Sequence, residues 1–275
     1  MNFRGKWQGK TTWYKRDKGE ENGGKLDHET FIAEMKGTTL PAPVLIIEKS
    51  QYHIYFLDAD TGVWHGTGLR FTPNSEKVIP LSRKTHNESG TSFIFQGMGG
   101  QCSVDTSSNV FAAELNFFNE RSQSMIIVMY GLDSTSGRLL LDSVGIASFR
   151  CGLGCDFPLK PPQSKVRGSV DNFLQSLQGK MCRRQWRSYT RALDETNGGE
   201  LCEYPTNSIQ LFSDPERVVQ LFDDDLVCSI PADIQAGGGC ELVFGCFHTP
   251  KYAQMLTLTY DTNGKIERYT LEKWS

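Results

Sequence analysis

The sequence contains no long apolar run and no excess of positive charge. Its longest strongly apolar stretch, residues 125–130, has the length of a strand, whereas a helix that crosses a membrane needs about 20 apolar residues. The 29 lysines and arginines are outnumbered by 32 aspartates and glutamates, which gives a formal net charge of -3. Proteins that bind nucleic acid usually gather basic surface. We therefore expect no membrane span and no nucleic-acid partner.

Clustered metal ligands and catalytic motifs are also missing. Eight cysteines are sparse for a disulfide scaffold of 275 residues, and the closest pairs, Cys151/Cys155 and Cys240/Cys246, lack the spacing of a zinc site. The five histidines form no His-Glu-x-x-His motif, and the sequence has no phosphate-binding loop or nucleophile elbow. We expect reduced thiols, no metal ion and no cofactor.

Alternating polar and apolar residues, interrupted by turn residues, dominate the chain. This pattern is typical of antiparallel strands and predicts an all-β protein. The predicted strands include residues 6–15 and 110–119 in the first half and residues 208–212 in the second. A single segment has helical spacing: it begins after Ser169, a good N-cap residue, and ends at Gly179.

Composition and internal similarity predict two domains. Residues 151–168 are rich in proline and glycine and lack periodicity, so we interpret them as a linker between residues 1–150 and residues 169–275. The two halves open with similar segments, and residues 125–130 match residues 255–260 near their ends. Because fewer residues separate the matched segments in the second half, its domain should be smaller.

The opening segment Phe3-Arg-Gly-Lys-Trp7 resembles the Gly-x-Trp start of lipocalin-like (calycin) barrels. Together with the second opening and the glycine-rich residues 62–71, it makes the chain similar to an uncharacterised tandem lipocalin-like family of photosynthetic microbes and plastids. The resemblance implies two tandem antiparallel β-barrels, the second reduced, each able to enclose an apolar ligand. No signal peptide opens the chain, so we expect either the cytoplasm or a targeting segment that has been removed. In the second case the resemblance implies a plastid.

Strand alternation selects candidate ligand-binding residues in the first half. Trp64 shares a face with Arg70, whereas His65 lies on the opposite face. Glu114 and Asn116 share a mixed face, which either lines the barrel or faces water. Residues 124–131 are apolar on both faces, so one face should meet the other barrel. The candidate lining residues are Trp64, Arg70, Glu114, Asn116 and Tyr130.

The second half offers two candidate arginines. Arg183 and Arg187 share one face of the strand at residues 181–191. They either bind the acidic end of an amphipathic ligand or form ion pairs on the outside with the aspartates at residues 223–225.

These patterns favour non-covalent binding of an apolar or amphipathic small molecule, such as a lipid, isoprenoid or pigment, inside a barrel. One alternative is an isomerase or cyclase that uses Glu114 or His65 as its acid–base group. A second alternative is an interaction subunit of a larger pigment–protein assembly, with both barrels filled by side chains.

Overall fold

The computed structural model describes residues 4–16, 28–37, 39–58, 61–67, 76–82, 92–95, 98–105, 110–119, 121–152, 169–189, 195–222, 225–235, 237–249 and 252–275. Residues 153–168, most of the interpreted linker, lie outside these ranges. The described chain forms two antiparallel sheets, and one of them curls into a half-barrel. The division into domains 1–150 and 169–275 stays a prediction.

The first sheet is an up-and-down array whose first and last strands are neighbours. Its order is β4-β3-β2-β1-β9-β8-β7-β6-β5, so β1 pairs with both β2 and β9. Within the described ranges no pairing joins β4 to β5. The strands are β1 (Gly5–Lys15), β2 (Leu45–Phe56), β3 (Thr61–Thr67), β4 (Glu76–Ser82), β5 (Ser92–Phe95), β6 (Met98–Asp105), β7 (Val110–Asn119), β8 (Ser122–Leu132) and β9 (Arg138–Gly152).

The second sheet repeats this arrangement with fewer strands. Its order is β11-β10-β17-β16-β15-β13-β12, so the first strand, β10, again lies beside the last, β17. The strands are β10 (Met181–Tyr189), β11 (Glu195–Glu203), β12 (Arg217–Phe222), β13 (Leu226–Pro231), β15 (Cys240–Thr249), β16 (Tyr252–Tyr260) and β17 (Ile266–Trp274), while β14 (Asp233–Gln235) pairs with β9 of the first sheet.

Within the described ranges, three helices and one 3-10 turn accompany the sheets. The helices are α1 (His28–Met35), α2 (Val170–Leu177) and α3 (Asn207–Gln210), and the 3-10 turn is Leu211–Ser213. The prediction of a helix after Ser169 is confirmed: the Ser169 hydroxyl accepts a hydrogen bond from the backbone N–H of Asn172 at 3.2 Å. The prediction of a strand at residues 208–212 is wrong, because these residues form α3 and the 3-10 turn.

The largest apolar core lies between the two sheets. One face of the first sheet contributes Phe111 and Tyr130, and one face of the second contributes Phe244 and Tyr260. The ring centroids of Phe111 and Tyr260 are 5.1 Å apart. The face of β8 that carries Tyr130 therefore packs against the second sheet. The apolar character of both faces of residues 124–131 predicts such a contact.

Two further contacts connect the halves of the chain. Helix α1 inserts Phe31, Ile32 and Met35 into the shared core, and Gln220 of β12 donates a hydrogen bond to the Gly37 carbonyl at 3.1 Å. Strand β14 extends the first sheet, where Asp233 forms an ion pair with Arg138. The two sheets therefore share one core and two connecting elements, α1 and β14.

Candidate functional site

The inner face of the first sheet carries a stack of three aromatic side chains from neighbouring strands. The ring of Tyr52 lies between Trp7, at 5.8 Å with the planes 10° apart, and Trp64, at 5.7 Å with the planes 24° apart. Phe149 meets Tyr52 edge-on at 5.0 Å. Gly66 makes room for this stack, because a Cβ atom there would collide with the Trp64 ring and with Tyr52. Trp7 and Tyr52 are buried, whereas Trp64 is half-buried, so Trp64 is the ring of the stack that lies nearest to solvent.

A chain of hydrogen bonds starts at the stack and crosses the inner face. The Tyr52 hydroxyl donates to Oε1 of Gln123, and Nε2 of Gln123 donates to Oδ1 of Asn116. Nδ2 of Asn116 then donates to Oε1 of Glu114 at 2.9 Å. Tyr52, Gln123 and Asn116 are buried, whereas Glu114 is partly exposed, so the chain runs from the interior toward solvent.

The curl of the sheet brings these residues together. Tyr52 lies on β2 and Gln123 on β8, and β1 and β9 lie between these strands. In a flat sheet three strand spacings of about 4.8 Å would separate them. The direct hydrogen bond between their side chains therefore spans a concave surface.

Burial controls the ionisation of Tyr52. Desolvation, followed by the negative charge of Glu114, raises the pKa of the Tyr52 hydroxyl well above its usual value. The hydroxyl therefore stays protonated at physiological pH, and its hydrogen remains available to Gln123.

Three of the five lining residues chosen from the first half meet along this chain of contacts. Trp64, Glu114 and Asn116 lie on the inner face, so the mixed face of β7 is the inner one. Tyr130 lies on the opposite face in the core between the sheets, where its hydroxyl donates to the Pro231 carbonyl at 2.9 Å. The fifth candidate, Arg70, lies outside the described residues.

The two acid–base candidates occupy opposite faces of the sheet. His65 lies on the outer face of β3, where it is the direct cross-strand partner of His53. Glu114 lies on the inner face. Desolvation, followed by the positive charges of Lys6, His65 and Arg4, lowers the pKa of His53 below its usual value. Of the two candidates, Glu114 alone faces the aromatic stack.

Tyr52 and Gln123 are the residues of this site that sequence reasoning missed. Alternation places Tyr52 on the same face of β2 as Ile54, but it does not reveal the contact with β8. Trp7, the tryptophan of the Gly-x-Trp opening, lies at the end of the stack.

The second sheet has its own buried polar cluster, centred on Arg184 rather than Arg183 or Arg187. The Arg184 guanidinium donates from Nε and Nη2 to Oε1 of Glu272, at 3.1 and 2.9 Å, and from Nη1 to Glu200 at 3.0 Å. Glu272 is fully buried, and its Oε2 also accepts a hydrogen bond from Thr206 at 2.9 Å. Although burial disfavours the charged guanidinium, its hydrogen bonds to Glu272 raise the pKa of Arg184.

The two arginines chosen from the sequence lie on the other face of β10. Arg183 is exposed, and Arg187 lies over the ring of Tyr269 with 5.8 Å between the guanidinium carbon and the ring centroid. Tyr269 belongs to the core between the sheets. Arg183 and Arg187 therefore do not share a surface with the buried Arg184 cluster.

The described ranges hold neither a clustered metal site nor a membrane-spanning helix. There, no three histidine, cysteine or acidic side chains are grouped so that they could hold a metal ion. Nor does any helix described here have the length and apolar character needed to cross a bilayer.

A solved structure from another protein shares the fold. No family model and no curated protein matches the chain. A protein of unknown function from the DUF3598 family of Nostoc punctiforme superposes with a TM-score of 0.59 and 13% identity, over 99% of this chain and 95% of that one. A mutant transferrin-binding protein B from Haemophilus parasuis reaches a TM-score of 0.21 with 8% identity, over 100% of this chain and 59% of that one, which is too weak to indicate a common fold. The chain is thus a two-sheet antiparallel β protein similar in fold to the Nostoc protein.

Proposed function

We propose that the inner face of the first sheet binds an apolar or amphipathic small molecule without covalent attachment. The observation that carries this proposal is the stack Trp7–Tyr52–Trp64 joined to a hydrogen-bond chain that ends at Glu114. Small-molecule sites combine a mostly apolar lining with a few polar groups that fix orientation. A ligand that removes about 300 Å² of apolar surface from water gains about 7 kcal/mol from burial. Lipids, isoprenoids and pigments belong to this class.

The strand order supports a lipocalin-like reading of both sheets. In each sheet the first strand lies beside the last, as in an up-and-down array that curls toward closure. The proposal is that the two sheets are tandem lipocalin-like barrels and that the first one holds the ligand.

The direct test is native mass spectrometry of the protein purified from its own source, followed by solvent extraction. A stoichiometric apolar or amphipathic molecule that copurifies supports the proposal. Protein that is consistently empty at high purity, and that also binds no apolar probe, contradicts it.

The stack predicts a site-specific effect of Trp64. Replacing Trp64 with phenylalanine should weaken binding of the neutral fluorescent probe N-phenylnaphthylamine about fivefold to tenfold, because a smaller ring offers less stacking surface beside Tyr52. The dissociation constant is measured by fluorescence titration. Trp186→Phe is the matched control, since Trp186 lies against Gly198 of the second sheet as Trp64 lies against Gly66. Equal weakening by both substitutions would place the probe elsewhere.

A further inference from the structure

We propose that Cys182 and Cys202 of the second sheet form a reversible disulfide, which makes this pair a site of redox modification. They are direct cross-strand partners on β10 and β11, and both are free thiols in this structure. The proposal goes beyond the function proposed above and does not depend on the ligand of the first sheet. It rests on the register of the two strands, the burial of both side chains and the position of β11 at the edge of the sheet.

Both cysteine side chains project from the same face of the second sheet. Residues directly opposite each other in an antiparallel pair share a face. Cys182 is fully buried in an apolar cluster of this sheet, and the partly buried Cys202 packs against the same cluster. The two thiols are therefore neighbours, and Cys202 is the one that a reagent from solvent reaches first.

The backbone hydrogen bonds of β10 define which type of cross-strand pair the cysteines form. The Ser275 N–H donates to the Met181 carbonyl at 3.4 Å, so Met181 turns its backbone groups toward β17. Because successive residues of a strand turn these groups to opposite neighbours, Cys182 turns its own toward β11 and forms a hydrogen-bonded pair with Cys202. The Cα atoms of such a pair lie about 5.5 Å apart, which is a common separation in disulfides.

The two Cβ atoms must approach each other before the bond forms. They lie up to about 5.5 Å apart in a hydrogen-bonded pair, whereas a disulfide needs about 3.5–4.5 Å. Strand β11 can supply this movement, because it is the outermost strand of the described sheet and pairs there with β10 alone. The resulting bond is strained, and strain makes a disulfide easier to reduce.

Among the described cysteines, no other two are direct cross-strand partners. Cys228 and Cys246 both lie in the core between the sheets, but Cys246 is opposite Leu226, two positions before Cys228. Diagonal neighbours of this kind lie about 7–8 Å apart, beyond the Cα separation of about 4.4–6.8 Å that a disulfide allows. The register therefore favours the link between Cys182 and Cys202 and disfavours a link between Cys228 and Cys246.

Glutathione disulfide is the oxidant class that we assign to this step. The thiolate of Cys202 attacks one glutathione sulfur, forms a mixed disulfide and releases the first glutathione thiolate. The deprotonated Cys182 sulfur then attacks the Cys202 sulfur and displaces the second. The two released thiolates take up the two protons that the cysteines lost. Two protein thiols are oxidised, and one glutathione disulfide is reduced to two glutathione molecules.

Burial makes this exchange slow. Desolvation raises the pKa of Cys202 above its usual value, although the positive charge of Arg184 acts in the opposite direction. Desolvation, followed by the negative charge of Glu272, raises the pKa of Cys182 to about 12. The thiolate is the attacking species, so a small fraction of each cysteine is reactive at any moment. We therefore expect oxidation on the slow side of disulfide exchange, over hours rather than seconds.

Peptide mapping of the full-length protein tests the pair. After incubation with glutathione disulfide at about pH 8, alkylation and digestion, we expect a peptide in which Cys182 is linked to Cys202. An excess of reduced glutathione should then return both thiols to a form that can be alkylated. Three results overturn the inference: Cys202 that stops at the glutathione adduct, Cys202 linked to another cysteine, and a link that excess reduced glutathione does not break.

The melting temperature separates the link from other effects of the oxidant. The disulfide closes a loop of residues 182–202, so oxidation should raise the melting temperature of the native protein by about 5 °C. Cys240→Ser should gain as much, because Cys240 is half-buried like Cys202 but lies opposite Tyr260. Cys202→Ser should gain nothing. An equal gain in Cys202→Ser would mean that another modification stabilises the protein, and the pairing would be wrong. If Cys202→Ser does not fold, the mapping of the native protein still decides.

Discussion

Replacing Arg184 with methionine is expected to lower the free energy of unfolding by about 3–5 kcal/mol. The substitution keeps an apolar stem of similar length but removes both hydrogen bonds to Glu272. Glu272 is fully buried, so its carboxylate would remain in the interior without its cationic partner. Thr206 and Ser208 would still donate hydrogen bonds to Glu272, but neither supplies a positive charge. Urea-induced unfolding followed by circular dichroism measures the change.

The control for this prediction is the other partner of Arg184. Glu200→Ala removes the hydrogen bond at 3.0 Å, but 49% of the Glu200 side chain is exposed, so the loss should stay below about 1 kcal/mol. Equal losses in Arg184→Met and Glu200→Ala would mean that solvent already screens the buried pair. The stabilising role that we assign to the contact with Glu272 would then be wrong.

The sequence identifies strands well where alternation is long and poorly where segments are short. Residues 208–212 are too few to distinguish the period of two of a strand from the period of about 3.6 of a helix. Ile209 and Phe212, three positions apart, belong to α3 and the 3-10 turn, and both pack into an apolar cluster of the second sheet. Helix α1 was missed although Phe31, Ile32 and Met35 already stand at helical spacing and are all buried.

The candidate site shows a second limit of prediction from the sequence. Alternation correctly groups Glu114 with Asn116, but it does not reveal which face of β7 is the inner one. The usual rule that the apolar face lies inside fails here, because Phe111 and Leu115 on the opposite face pack against the second sheet. Both faces of β7 are covered, and the more polar one faces the concave side. Only the packing of one sheet on the other shows which face of β7 is the inner one.

Register imposes the same limit in the second half. Arginines occur on both faces of β10, and alternation separates Arg184 from Arg183 and Arg187 without showing which face is buried. Arg184 lies directly opposite Glu272 of β17, almost ninety residues later in the chain. Such a pairing depends on the order of the strands in the sheet, and local sequence patterns do not contain that information.

The shared core predicts that the two sheets unfold together. Phe149→Ala truncates a fully buried ring on the inner face of the first sheet and should cost about 3–5 kcal/mol. Cys228 lies in the second sheet, buried in the core between the sheets. Because this core, α1 and β14 connect the sheets, we expect iodoacetamide to label Cys228 at least about 100-fold faster in Phe149→Ala than in the native protein.

Phe56→Ala is the control for this coupling, since the Phe56 side chain is exposed and its loss should leave the labelling rate of Cys228 nearly unchanged. The contrasting outcome is also measurable. If Phe149→Ala destabilises the first sheet, seen as earlier loss of the fluorescence of its tryptophans, while Cys228 stays protected, the sheets are separate folding units. The contacts through α1, β14 and Phe111 would then hold two independent domains together without making their unfolding cooperative.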